Sequence, residues 1–333
     1  MERNESQAER KPIIALGELL VDFIPENPEE GIADTGSVLK TASGSAGIFA
    51  CAAARLGAPS AFIGKVGKDS LSRMVTNAIS SQGVDISRLT VSDEGQIGLA
   101  FLEYTKTGRN YQYYRENSVG SRLSADNVDD SAVQGAYAVH FPGMLLELTA
   151  EMRSACEKLV ELAKKYGVAI SFDPNIRREL AKDPVAHQRL IWAVRQADIV
   201  APTLEEAKII TGKETIGDIL RALHELGPRV VALTRDKNGA VFSMDGRVAV
   251  ADGIPIEEID PTGAGDALAA ALCVALEEKM PLEKLAAFCN CVGALVITRR
   301  GAIGMALPSR DQVEAMMASG ICHVHCNTLE NME

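Results

Sequence analysis

The residues best suited to chemistry lie in one stretch of the chain, Asp260–Asp266 (DPTGAGD). The apolar residues 267–276 follow without a helix breaker, so the stretch is predicted to open a helix. Its glycines leave the backbone accessible to a ligand, and the N–H groups of a first helical turn have no intrahelical partner. The amides of Gly263, Ala264 and Gly265 are therefore predicted to form an anion site.

Asp266 adds a carboxylate to the first turn of the same predicted helix. A carboxylate beside a bound anion is not a ligand for it, since like charges repel. It is suited to take a proton from an attacking hydroxyl, as phosphoryl transfer to an alcohol requires. These residues alone are equally consistent with a helix cap in a glycine-containing turn, so the choice depends on the rest of the chain.

Composition limits the possible functions. The 333 residues are 47% hydrophobic and 24% charged, which is enough for one large α/β unit with an appendage. A net charge of −11 argues against nucleic acid or an anionic membrane as the main partner. Seven scattered cysteines, a polar amino terminus and the lack of any apolar run of membrane-spanning length predict a cytoplasmic protein with reduced thiols.

The elements that position these residues alternate between apolar strands and amphipathic helices, which predicts a mostly parallel sheet. Strands are predicted at 13–20 (ending at Asp22), 61–66, 137–141, 168–172, 198–201 and 229–233, with hairpins at 99–104/110–114 and 240–242/247–250. Helices are predicted from the Ser43–Gly47 segment to Leu56, and at 69–81, 151–166, 184–196, 204–210, 216–226, 264–278 and 282–298.

Polar residues and glycines recur where the predicted strands end, and ligands of open α/β sheets bind beyond the carboxyl ends of strands. A single polar residue there usually reflects loop solvation, whereas a set at successive ends favours a binding site. The set comprises Asp22, Gly143, Asp173, Asn175, Arg177, Thr203, Glu206, Thr234 and Asp260.

The stretch 260–266 with the following Ala-Leu-Ala-Ala-Ala resembles the D-[TP]-x-G-A-G-D-x-[FL] signature of the ribokinase-like (PfkB) carbohydrate kinases. The resemblance covers nearly the whole chain. It includes Gly17–Asp22, Ala54–Gly57, Phe62–Asp69, Ser171–Arg177, Asn290, Gly293-Ala294 and Thr298–Ala302. It implies a three-layer α/β/α sandwich with a mostly parallel central sheet and a small β-sheet lid.

The resemblance also implies roles for individual residues. Asp266 would be the general base on the sugar hydroxyl, the amides of 263–265 the anion hole for the phosphoryl group, and Arg177 a cation near it. Glu206 would hold Mg²⁺ through water, and a monovalent cation such as K⁺ would lie near Asp260, Thr298 and Gly301. The sugar would contact Asp22, Gly44, Arg115 and Asn175, and ATP would contact Thr203, Thr234, Asp236, Gly239 and Asn290.

By the same resemblance, the body would comprise residues 1–28, 42–96 and 122–333, and the lid residues 29–41 and 97–121. The lid would exclude water, which competes with the sugar for the phosphoryl group, and a homodimer through it is expected from the family. Residues 1–11 and 319–333 are predicted to be flexible tails.

Three positions depart from the family pattern. Ile48 stands where the family has a sugar-contacting asparagine, Thr203 replaces the asparagine of N-x-x-E, and Asp236 replaces a glycine of T-x-G-x-x-G. The predicted base and anion hole are intact, but the identity of the sugar and the placement of the nucleotide are left open.

Different segments of the sequence resemble kinases that act on different classes of substrate. GELLVDFIP (17–25) and DPNIR (173–177) resemble fructokinases, whereas 113–124 is closer to 2-keto-3-deoxygluconate kinases. Arg115 either pairs with a substrate carboxylate or is a solvated lid residue. The expected substrate is a ketose or a keto sugar acid, with another sugar or a nucleoside as alternatives.

A regulator and an oxidoreductase are two alternative classes of function for this sequence. The departures at three positions would suit a non-catalytic sugar- or nucleotide-binding regulator with the same fold. A dinucleotide-dependent oxidoreductase is disfavoured, because no G-x-G-x-x-G follows the first strand.

The segment Cys322–Cys326 (CHVHC) has four potential metal ligands, although a tetrahedral site usually draws its ligands from two separated pairs.

Overall fold

A computed structural model describes residues 10–27, 31–34, 36–105, 108–176, 183–304 and 306–332. The strands are β1 (Ile13–Leu16), β2 (Leu20–Pro25), β3 (Val38–Ser43), β4 (Ser60–Val66), β5 (Leu89–Val91), β6 (Gly98–Thr105), β7 (Gly108–Tyr114), β8 (Ala138–Pro142), β9 (Ala169–Asp173), β10 (Ile199–Val200), β11 (Val230–Thr234), β12 (Ala240–Met244), β13 (Arg247–Ala251) and β14 (Val324–Thr328). The α-helices are α1 (Ser45–Arg55), α2 (Ser70–Ser81), α3 (Asp130–Val133), α4 (Ala150–Tyr166), α5 (Pro184–Gln196), α6 (Leu204–Thr211), α7 (Ile216–Leu226), α8 (Ala264–Glu277), α9 (Leu282–Val296) and α10 (Arg310–Ala318).

The large sheet has the strand order β14-β13-β12-β11-β10-β9-β8-β1-β4-β5. Its seven strands from β11 to β5 pair in parallel, and β12, β13 and β14 extend it antiparallel. The carboxyl ends of the parallel strands therefore lie along one edge, as the sequence predicted.

Helices cover both faces of the large sheet. In β1, Ile13 and Ala15 pack into the core shared with α1, α8 and α9, whereas Ile14 and Leu16 pack into the core shared with α4 and α5. This alternation is expected of a strand buried on both faces. The predicted three-layer α/β/α sandwich is confirmed.

A second, four-stranded sheet with the order β3-β2-β6-β7 stands apart from the large one. The prediction of one strand over 13–20 is wrong, because β1 belongs to the large sheet and β2 to the small sheet. Both strands are buried, so the apolar run does not stop where the backbone changes sheets. Residues 20–25 and 42–43 thus lie in the small sheet, outside the predicted lid ranges.

The prediction of a flexible tail at 319–333 is also wrong. Strand β14 pairs antiparallel with β13, and Arg221 Nη1 contacts the carbonyl oxygens of Leu329 and Met332 at 3.2 and 3.3 Å. β14 is a largely exposed edge strand, so it lacks the hydrophobic signal by which strands are detected. Residues 1–9 of the other predicted tail lie outside the described residues.

Removal of residues 324–333 is expected to lower the Tm by roughly 3 °C or more, since it deletes a strand pairing and the contacts of Arg221. Differential scanning calorimetry measures this change. Lys68→Ala, which breaks an exposed ion pair with Asp93, is a control expected to shift the Tm by less than about 1 °C. Hydrogen exchange in 324–328 as fast as in an unfolded peptide would contradict the pairing.

Candidate active site

A cavity of 460 Å³ lies between the carboxyl edge of the large sheet and the small sheet, a size usual for small-molecule sites. The small sheet contributes residues of β2, β3 and β7, and the body contributes the start of α1 and the loops after β8 and β9. Its lining comprises Glu18, Leu20, Asp22, Ser43–Ala46, Ile48, Asn110, Tyr111, Tyr113, Arg115, Pro142, Met144, Leu145, Asn175, Pro261, Thr262 and Asp266.

Asp266 lies in the first turn of α8, at the wall of this cavity, and is only 8% exposed. The Ser45 hydroxyl donates to its Oδ1, and Asn175 Nδ2 lies 3.5 Å from Ser45 Oγ. Burial raises the pKa of Asp266 to about 7, while the hydrogen bond from Ser45 acts in the opposite direction. The carboxyl can thus gain and lose a proton near neutral pH, as a general base must.

Gly263 is the N-cap residue immediately before α8 and has φ 83° and ψ 1°, a left-handed conformation that other residues rarely adopt. A Cβ at this position would lie 2.9 Å from Ile48 Cγ2. Ile48, where the family has a polar residue, therefore packs directly against the predicted anion site.

The amides of 263–265 are not equivalent. Ala264 N donates to Pro261 O at 3.2 Å, and Ala267 N makes a helical bond to Gly263 O at 2.9 Å. The N–H groups of Gly265 and Asp266 belong to the first turn, ahead of that bond, where a helix has no carbonyl for them. Ala264 N is thus already engaged with Pro261 O, and the binding of an anion by the amides of this loop stays a prediction.

Asp173 ends β9 and lies close enough to Asp266 for their charges to interact; the sequence predicts it only as a strand-end residue. It is 7% exposed, and its Oδ1 accepts the amide proton of Asn175 at 3.1 Å. Burial and the negative charges of Glu206 and Asp266 raise its pKa well above the usual range. The fructokinase-like segment 171–177 was the sequence signal that pointed to this position.

Glu206 and Thr203 form a capping box at the start of α6. The Thr203 backbone amide and hydroxyl donate to Glu206 Oε2 at 2.8 and 2.9 Å, and Ile176 N donates to Oε1 at 2.7 Å. Thr203 thus holds the acid that the family pattern assigns to magnesium. Contact of Thr203 with the nucleotide, and of Glu206 with magnesium through water, stay predictions.

The predicted sugar-contacting residues Asp22, Gly44 and Asn175 all line the cavity. Asp22 is 3% exposed, and burial raises its pKa to about 7, with the hydrogen bond from Ser43 opposing and the charge of Asp260 adding to this rise. Gly44 (φ 113°) precedes α1, and Asn175 has φ 40°. The cavity therefore presents a carboxyl and an amide side chain that can bind hydroxyls, beside a glycine that leaves the backbone accessible.

Arg115 is 5% exposed, so the interpretation as a solvated lid residue is wrong. Its Nη1 donates to Glu18 Oε1, and its guanidinium lies over the ring of Tyr113 at 4.5 Å from the centroid. Sequence reasoning missed Glu18, because a glutamate between two apolar strands shows no periodicity that would indicate burial.

The small sheet is fastened to the loops of the body by hydrogen bonds. Tyr111 Oη and Thr262 Oγ1 are 3.0 Å apart, and Arg300 Nη1 donates to Glu26 O at 3.0 Å. Burial raises the pKa of Tyr111. The loop that carries the predicted anion hole is thus held by β7 of the small sheet.

Of the predicted monovalent-cation residues, Asp260 is 1% exposed and is in contact with Gly301. Its two carboxylate oxygens accept the amide protons of Thr262 and Gly301, each at 3.1 Å. Thr298 Oγ1 donates to Leu295 O at 2.7 Å. Asp260 thereby ties the loop after α9 to the loop before α8, and the binding of a cation there stays a prediction.

The predicted nucleotide residues lie apart from the cavity lining. Thr234 ends β11, and Asp236 and Gly239 belong to the next turn, closed by Arg235 N to Gly239 O at 2.8 Å. Asp236 has φ 53°, so the backbone here takes the left-handed conformation that the family's glycine suits. Asn290 is buried and donates to Asp252 O at 2.8 Å. Arg177 lies outside the described residues.

Within the described ranges, no group of three or more His, Cys, Asp or Glu side chains is arranged to hold a metal ion. Cys326 of the CHVHC segment is exposed, and His325 Nε2 lies 3.1 Å from Asp252 Oδ2. None of the helices in the described part of the chain is long and apolar enough to cross a membrane.

A three-layer α/β/α fold with a small second sheet, a cavity between the two sheets and a buried carboxylate at a helix amino terminus defines the class of the ribokinase-like proteins. The sequence model of the family "pfkB family carbohydrate kinase" matches residues 10–310. The chain belongs to this family, and the prediction of a carbohydrate kinase is confirmed at that level.

Named relatives agree with this assignment. The "Probable fructokinase-2" of Arabidopsis thaliana is 29% identical over 307 residues, covering 89% of this chain and 93% of its own. An E. coli structure titled a putative ribokinase II in complex with ATP and Mg²⁺ superimposes with a TM-score of 0.88 at 27% identity, covering 93% of this chain and 99% of its own. Fructokinase from Vibrio cholerae O395, solved with fructose, ADP and calcium, superimposes with a TM-score of 0.80 at 26% identity. The match covers 92% of this chain and 98% of the Vibrio chain.

Gly263→Ala is expected to lower the free energy of unfolding by roughly 1–3 kcal/mol, because the residue needs a left-handed backbone and its new Cβ would contact Ile48. Urea denaturation measures this loss. Gly265→Ala is the matched control, since a Cβ there meets nothing within 4 Å, and it is expected to leave stability nearly unchanged. Equal losses in the two variants would contradict the role given to Gly263.

Proposed function

We propose that this protein transfers the γ-phosphoryl group of ATP to a hydroxyl of a sugar, with Asp266 as the general base. The observation that carries the proposal is the buried Asp266 carboxyl, which lines a sugar-sized cavity in the first turn of α8. A base and an anion-binding helix start are thereby adjacent. The family membership supports the same reaction.

In the proposed reaction the sugar hydroxyl gives its proton to a carboxylate oxygen of Asp266. The hydroxyl oxygen then forms a bond to the γ-phosphorus as the bond to the β-phosphate oxygen breaks, and ADP leaves with that electron pair. The amides of Gly265 and Asp266 would donate to the oxygens of the transferring group, where negative charge is concentrated. Asp22, Gly44 and Asn175 would position the sugar.

Carboxylate oxygens are the donors that suit Mg²⁺, and Glu206 and Asp173 supply them close to Asp266. Magnesium, when bound, would neutralise charge on the phosphates. We infer that Glu206 would hold it through water, with Arg177 as a further cation and Asp260 beside a K⁺ ion. Thr203, Thr234, Asp236, Gly239 and Asn290 would bound the nucleotide, and a dimer through the small sheet stays a prediction.

A non-catalytic regulator with the same fold is the second candidate, because Ile48, Thr203 and Asp236 depart from the family pattern. The contacts of these residues favour catalysis instead. Ile48 packs on the loop at Gly263, Thr203 holds Glu206, and Asp236 keeps the backbone conformation of a glycine. None of the three removes the base or the amides beside it.

Coupled ADP release with ATP and magnesium tests the reaction on fructose, 2-keto-3-deoxygluconate, 5-keto-2-deoxygluconate, ribose, tagatose 6-phosphate and adenosine. Turnover of any of these sugars supports the kinase. If none of them is turned over, and sugar or nucleotide still binds as judged by a thermal shift, the result would favour the regulator.

Asp266→Asn is expected to lower kcat by roughly 10²- to 10⁴-fold, the range for loss of a general base, while ATP and sugar binding stay within a few-fold. Single-turnover kinetics and calorimetric binding separate the two effects. Asp311→Asn in the first turn of α10 is a control for removing a carboxylate from a helix start. Near-normal turnover of Asp266→Asn would remove the proposed role.

The raised pKa of Asp266 predicts a pH dependence. The base must be ionised, so kcat/KM is expected to rise as pH increases through about 7. Because the Ser45 hydroxyl stabilises the ionised carboxylate, Ser45→Ala is expected to raise this pKa and move the ascending limb to higher pH.

The control for this profile is Ser309→Ala, which removes the cap of α10 far from the cavity. It should lower stability without moving the limb. A limb that stays in place in Ser45→Ala would assign the titration to another group, such as Asp22.

A further inference from the structure

One wall of the cavity contains an ion pair that the proposed reaction does not use. Glu18 and Arg115 both line the cavity, yet each side chain is only 4% exposed. The Arg115 guanidinium contacts Glu18 Oε1 and lies 4.5 Å from the ring centroid of Tyr113. An acid and an aromatic face therefore fix the position of this arginine before any substrate enters.

This pairing determines the charge that the cavity presents. Among the described lining residues, Arg115 is the cationic side chain, and Glu18, Asp22 and Asp266 are the carboxyl groups. Glu18 already compensates the charge of Arg115, so among these described lining residues no cation is left over to pair with a substrate carboxylate.

An anionic acceptor would be unfavourable in such a site. To pair with Arg115 it would have to displace or share Glu18, and either choice brings two negative charges together in a buried region. An uncharged sugar meets no such conflict. Arg115 has five N–H donors, so those not used by Glu18 can bind hydroxyl or carbonyl oxygens while the ion pair stays intact.

We propose that the acceptor is an uncharged sugar and not a sugar acid, and that Glu18 determines this specificity by holding Arg115. The inference rests on the proposed kinase function and selects between the two substrate classes that the sequence left open. Glu18 thus acts on the substrate through Arg115, as a specificity-determining residue.

The test compares kcat/KM for fructose and for 2-keto-3-deoxygluconate in the wild-type enzyme and in Glu18→Gln. The wild type is expected to prefer fructose by at least about tenfold. Glutamine keeps the shape of the side chain but removes its charge, which frees Arg115 to pair with a carboxylate. The fructose-to-acid ratio is therefore expected to fall at least about tenfold, mainly through a lower KM for the acid.

Glu278→Gln is the matched control, since Glu278 forms an ion pair with Arg310 outside the cavity. Its substrate ratio should equal that of the wild type. The double variant Glu18→Gln/Arg115→Met removes both charges and is expected to lose the gain on the acid. A purely structural role of Glu18 would lower activity on both sugars equally.

The outcomes separate the two levels of the proposal. Wild-type turnover of neither sugar, nor of any other sugar tested, would count against the kinase function itself. Turnover with a preference for the acid would overturn the inference but not the kinase function. An unchanged fructose-to-acid ratio of kcat/KM in folded Glu18→Gln would do the same. If Glu18→Gln does not fold, calorimetric binding to the wild type decides: equal or tighter binding of the acid overturns the proposal.

Discussion

The hydrogen bond from Ser45 to Asp266 is the interaction on which the site depends, because it joins the first turns of α1 and α8 beside the cavity. A carboxyl buried in apolar surroundings resists ionisation. Here the hydroxyl of Ser45 favours the ionised form, while burial disfavours it. The balance leaves Asp266 able to exchange a proton near neutral pH, which a freely solvated carboxyl with its low pKa could not do as effectively.

The surroundings of Asp266 are unusually acidic for a buried region. Asp22 and Asp173 also have raised pKa values through burial, and Glu18 and Asp260 lie close by in the same layer of loops. The last two are held by protein donors, Glu18 by Arg115 and Asp260 by two backbone amides. Asp22, Asp173 and Asp266 also accept hydrogen bonds, from Ser43, Asn175 and Ser45, but burial still raises their pKa values.

The small sheet forms the wall of the cavity that lies opposite the large sheet. It is not an appended hairpin, because only three residues, 17–19, separate β2 from β1, an interior strand of the parallel sheet. The contact between Tyr111 and Thr262 then joins β7 to the loop before α8. The same few strands thus set the position of this cavity wall and of the loop that is predicted to bind an anion.

The sequence by itself determined the parallel sheet, the helix that starts at Ala264, and the residues around Asp266, because periodicity and the glycine-containing loop are local signals. The family resemblance of the sequence also indicated Asp22, Gly44 and Asn175 as sugar-contacting residues, and all three line the same cavity. Only the tertiary structure showed where β1 ends and β2 begins, that β14 is paired, and that Ser45 and Glu18 are partners of Asp266 and Arg115. These features join residues far apart in the chain, 221 positions in one case and 97 in the other. No local pattern of side chains records which of them will meet.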